Sequence, residues 1–125
     1  MSMHYDFFKQ IRSFKYAWKG WQTCLGHEQN LSFHLFATAV VIAAGCWFQI
    51  SSKEWIAVVI CIGMVISAEL FNSAIERLVD LVSPTFNPIA GQVKDIAAGA
   101  VLVLALAAAI VGCIIFFPYI FHFLS

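Results

Sequence analysis

Three apolar stretches, each long enough to cross a bilayer, dominate a chain of 125 residues. They run from about 31 to 50, 55 to 81 and 96 to 123. A helix that spans the hydrocarbon core needs ~20 mostly apolar residues. Lipid offers no partner to open backbone groups, so spans in this number must be helices. The chain is 62% hydrophobic and 11% charged, and a water-soluble fold of this size has too little interior to hide that surface. The expectation is an all-α membrane protein with one domain over residues 1–125. A formal net charge of zero gives no electrostatic footprint for nucleic acid.

The four cysteines, Cys24, Cys46, Cys61 and Cys113, form no C-x-x-C pair. Three lie in apolar runs, where a thiol behaves as a small hydrophobe, so neither a disulfide frame nor a zinc site is indicated. The first thirty residues lack a continuous apolar region with a small-residue cleavage site, and the N-terminus is expected to be retained.

The segment before the first span is amphipathic. Phe7, Ile11, Phe14, Trp18, Trp21 and Leu25 fall within an arc of roughly 80° on a helical wheel, and Lys9, Arg12, Tyr16 and Lys19 occupy the opposite side. This predicts a helix over about 5–25 lying in the membrane interface, with its tryptophans at headgroup level. Six of the seven basic residues flank the first span or the loop near residues 82–93; only Lys53 lies in the other loop. The positive-inside rule then predicts a cytoplasmic N-terminus and a cytoplasmic second loop. Pro84, Pro88 and Gly91 give that loop a turn-rich reading.

The chemistry is concentrated in AELFNSAIERLVD, residues 68–80. Glu69, Asn72, Glu76 and Asp80 are spaced three, four and four apart and share an arc of roughly 80°. A carboxylate at membrane depth costs at least ~2.5 kcal/mol. Asn72 alone would serve as interhelical glue, but two glutamates and an asparagine on one face indicate function. A glutamate near the interface can hold Mg²⁺ jointly with substrate phosphates, and a deeper one can take a proton from an alcohol. Lys94-Asp95, at the start of the third span, can offer a point charge to a phosphate or act as an ordinary capping pair. Glu28 lies just before the first span and on its own reads as a solvated loop carboxylate. His27 and His34, near the same boundary, read as headgroup contacts rather than metal ligands. His4 and His122 are terminal and carry no assignment. Neither a P-loop nor the protein-kinase catalytic loop occurs.

With these residues in view, the chain resembles the prokaryotic diacylglycerol kinase family, which includes undecaprenol kinases. The resemblance covers about 14–101 and is strongest in FKYAWKG (14–20), ELFNSAIERLVD (69–80) and AGQVKDIAAGAV (90–101). It implies a homotrimer of three-span protomers in the bacterial inner membrane. It also implies active sites between subunits that accept MgATP and a membrane lipid alcohol. By matching position, Glu69 would be the general base and Glu28 and Glu76 would hold the metal. Asn72 would support them, while Lys94, Asp95 and Tyr16 would contact the nucleotide. Gln92, Ala97-Ala98, Thr85 and Asn87 depart from the family pattern. The stretch EQNLSFHL (28–35) is similar to the undecaprenol kinase branch, which favours undecaprenol over diacylglycerol as acceptor. Aligned intramembrane carboxylates also suit a small transporter or proton channel, and that is the alternative class.

Overall fold

The computed structural model describes residues 6–26 and 28–125; His4 and His27, discussed above, lie outside them. The described residues form four helices, α1 (Phe7–Cys24), α2 (Gln29–Phe48), α3 (Ser52–Val82) and α4 (Pro88–Leu124), and no strand. The last three are long and apolar enough to cross a membrane. The all-α membrane architecture is therefore the one the apolar stretches predict.

α1 starts where the Asp6 carboxylate accepts a hydrogen bond from the Lys9 backbone N–H, which satisfies one of the orphan donors of a first turn. Gly26, at a positive φ of 80°, carries the chain out of it. The apolar face of α1 is not buried against the rest of the chain: Phe7, Phe14 and Trp18 are all exposed. An uncovered amphipathic face next to a membrane span belongs at the lipid interface.

α2 ends in a Schellman motif, with the Ile50 N–H bonded to the Gly45 carbonyl and the Gln49 N–H to that of Cys46. Gln49 holds the left-handed position, φ 52°. Ser51 then caps α3 in a capping box with Glu54, so the α2–α3 connection is only three residues. Gly45 is required there. A Cβ at this position would sit 2.6 Å from the Trp55 ring, so glycine lets α2 and α3 close together. Around this hairpin Ile50, Val58 and Ile115 form the buried core, joined by Phe48, Trp55, Phe116 and Tyr119. The Tyr119 hydroxyl donates to Glu54 and ties α4 to the same end.

The second connection is shorter than the sequence suggests. α4 begins at Pro88, eight residues before the expected start near 96. The Asn87 side chain accepts from the Ile89 and Ala90 N–H groups, and Pro88 takes the first helical position, where its missing N–H is no loss. Gly91 lies inside the helix, and the loop is residues 83–87 alone. Lys94 and Asp95 are thus in the second turn and do not offer free backbone donors. α3 and α4 pack along each other, with Ala97 and Val101 buried. α3 has 31 residues, a length of ~46 Å at 1.5 Å per residue. The hydrocarbon core is only ~30 Å thick, so α3 is longer than a perpendicular crossing needs, which tilt or an end in the headgroup region accommodates.

Candidate active site

The polar stripe of α3 lies at the end away from the aromatic core, and residues of two other segments meet it there. Glu69 is 3% exposed. One of its oxygens, Oε1, stands 3.0 Å from Nε2 of His34 on α2. A turn further along α3, the Asn72 amide nitrogen donates to Glu76 Oε1 at 3.3 Å. Glu28, the residue before α2, faces Arg77 at 3.9 Å, and the same guanidinium donates to the Thr23 carbonyl at the end of α1 at 3.5 Å. Glu28 and Glu76 are both within electrostatic reach of Glu69. The reading of Glu28 as a solvated loop carboxylate is therefore wrong: it is half-buried and paired with α3.

Lys94 crosses from α4 to pair with Asp80 of α3. The short 83–87 loop makes this possible by bringing the second turn of α4 beside the last turn of α3. Lys94 also feels the charge of Glu76. Tyr16 and Asp95 are different. Tyr16 is exposed on α1 with the Lys19 ammonium 5.7 Å above its ring. Asp95 is exposed and has no hydrogen bond or ion pair among the described residues. Among the described residues neither pairs with the carboxylate cluster.

Three pairings escaped the sequence reading. His34 pairs with Glu69 instead of reaching for headgroups, and its signal was present, because an ionisable residue inside a span marks a site by default. Arg77 and Asp80, used for orientation and for the stripe, prove to be the partners of Glu28 and Lys94. Asn87 caps α4.

Among the described residues no three His, Cys, Asp or Glu side chains gather into a protein-only metal cage. The donors still suit a hard cation shared with phosphate, which needs just one or two carboxylates from the protein. Asn72 Oδ1 adds a buried oxygen with no hydrogen-bond partner among the described residues. An apolar groove of about 270 Å³ between α2, α3 and α4 begins at His34 and runs past Ala37, Val41 and Val65.

Three long apolar helices make this a polytopic membrane protein. Residues 15–116 match the prokaryotic diacylglycerol kinase family. The chain is 42% identical over 109 residues to an undecaprenol kinase of Bacillus subtilis, covering 86% of this chain and 88% of that protein. It is 36% identical over 107 residues to a diacylglycerol kinase of Synechocystis, covering 85% and 61% of the two chains. A diacylglycerol kinase of Escherichia coli is 26% identical over 113 residues, covering 90% and 93%. The chain belongs to the prokaryotic diacylglycerol kinase family. It is a membrane lipid kinase, and the transporter or proton channel considered above is set aside.

Proposed function

We propose that the protein transfers the γ-phosphate of MgATP to the hydroxyl of a membrane lipid, with undecaprenol as the acceptor. The observation that carries this reading is the buried Glu69 carboxylate on the same face of α3 as Asn72 and Glu76, with Glu28 within electrostatic reach. Glu69 takes the proton of the acceptor hydroxyl. The hydroxyl oxygen bonds to the γ-phosphorus, the bond to the bridging oxygen breaks, and ADP departs. The proton rests on Glu69 until solvent takes it. Glu28 and Glu76 would hold Mg²⁺ together with the ATP phosphates, and Asn72 orients Glu76 through its amide. The ion would supply neutralisation of phosphate charge. Lys94 meets a phosphate as a point charge. The acceptor chain lies in the apolar groove that starts at His34.

Tyr16 and Asp95 contact the nucleotide. Their exposure away from the cluster is consistent with a homotrimer, in which a neighbouring subunit supplies them to the site. The whole chain is one lipid kinase domain in the inner membrane, with the N-terminus and the 83–87 loop in the cytoplasm. Undecaprenol is preferred because EQNLSFHL carries His34 and because the relative with 42% identity is an undecaprenol kinase. The test offers undecaprenol and diacylglycerol side by side in mixed micelles with radiolabelled ATP and magnesium. Label should enter undecaprenyl phosphate faster. Faster labelling of phosphatidic acid would reverse the acceptor, and no labelled lipid at all would reject the kinase reading.

A further inference from the structure

We propose that His34 is a positioning residue for phosphoryl transfer: it holds the Glu69 carboxylate by Oε1 and leaves the other oxygen free for the acceptor hydroxyl. The proposal rests on the reading of Glu69 as the base.

The 3.0 Å approach of His34 Nε2 to Glu69 Oε1 is the one polar side-chain contact that joins α2 to α3 among the described residues. It is sheltered, with side-chain exposures of 18% for His34 and 3% for Glu69. A glutamate has three side-chain torsions, and in an apolar setting nothing but a specific partner fixes them. The other neighbours of Glu69 cannot serve. Glu28 and Glu76 carry like charge, the Asn72 amide is given to Glu76, and Arg77 is taken by Glu28 and the Thr23 carbonyl. Glu69 Oε2 accepts no hydrogen bond among the described residues, so the oxygen opposite the histidine is the one available to a substrate.

The chemistry of the partner matters too. A neutral imidazole with its proton on Nε2 is a directional donor that carries no full charge. A lysine or arginine there would form an ion pair and stabilise the carboxylate against accepting a proton. A neutral histidine orients the base while stabilising its charged form less than a full cation would. Its ring also lines the apolar groove, so the residue that holds the base borders the space proposed for the acceptor chain.

The experiment compares purified H34L, H34Q and H34N with wild type and E69Q in lipid micelles, measuring kcat together with KM for MgATP. Leucine cannot donate a hydrogen bond. The glutamine amide reaches about as far as Nε2, whereas asparagine is one methylene too short. Losing a hydrogen bond to a charged group should lower kcat about 10- to 100-fold in H34L and H34N, with KM for MgATP unchanged. H34Q should recover most of the rate, and adding H34L to E69Q should slow it no further. The proposal is overturned if H34L turns over like wild type, if H34Q is no faster than H34N, or if the two losses add. The comparison of H34Q with H34N decides the matter even if the leucine variant does not fold, since both are polar amides. Wild-type turnover by E69Q is a separate result: it rejects the base itself, whatever the histidine variants do.

Discussion

Replacing Glu69 with glutamine changes the chemistry of the site while leaving its shape almost intact. The amide has nearly the volume of the carboxylate, which matters where the residue is 3% exposed. Its carbonyl oxygen can still accept from His34 Nε2, the 3.0 Å contact that the carboxylate makes. Repulsion from Glu28 and Glu76 falls when the negative charge goes, so the variant should melt at or slightly above the wild-type temperature. The ability to accept a proton is lost. A positioned general base contributes about 10²–10⁴ in rate, equivalent to ~3–5.5 kcal/mol on the barrier at 1.36 kcal/mol per tenfold. Glu28, Asn72, Glu76 and Lys94 are untouched, so the KM for MgATP should stay within about twofold, because the lost interaction belongs to the transition state. Glu69→Asp is the companion variant. Its carboxylate is withdrawn by roughly 1.5 Å, about one C–C bond, which stretches the contact with His34 beyond hydrogen-bond range; it retains basicity but loses position. The assay is steady-state transfer of label from ATP to lipid, with a thermal melt of each variant in the same detergent. An E69Q protein that turns over within about threefold of wild type would refute the reasoning, because no general base worth its place costs so little on removal.

Two further outcomes follow from the same geometry. Glu76→Gln removes one of the two carboxylates proposed for the metal and should raise the magnesium concentration for half-maximal rate by at least about tenfold, the lower end of what losing even a supporting group costs; an unchanged magnesium titration would contradict that role. Gly45→Ala drives a methyl to 2.6 Å and 2.8 Å from the Trp55 ring and 3.2 Å from Ile50. Overpacking of this kind costs about 1–3 kcal/mol, so the melting temperature in detergent should fall, whereas wild-type stability would show that the hairpin can relax.

The existence of the spans and the content of the α3 stripe could be read directly because both depend on one helix at a time. An apolar run of this length has no stable place outside lipid, and residues three and four apart share a face on any helix. The start of α4 was misjudged for a local reason. Proline breaks a helix in its interior but is favoured at the first position, and Asn87 before it supplies the cap. The sequence NPIAGQV contains both a turn signal and a start signal, and the packing of α4 along α3 resolves them in favour of the helix.

Sequence alone determined that the chain lies in a membrane, that its spans are helical, and that Glu69, Asn72 and Glu76 share a face. These follow from the hydrophobic effect and the fixed pitch of an α-helix. Tertiary structure decided the partners: His34 for Glu69, Arg77 for Glu28, Lys94 for Asp80. Those pairs cross between segments, so they depend on how α2 and α4 are rotated and slid against α3. The Gly45–Trp55 approach, the Schellman turn and the five-residue 83–87 loop set that alignment. No periodicity within a single helix contains it.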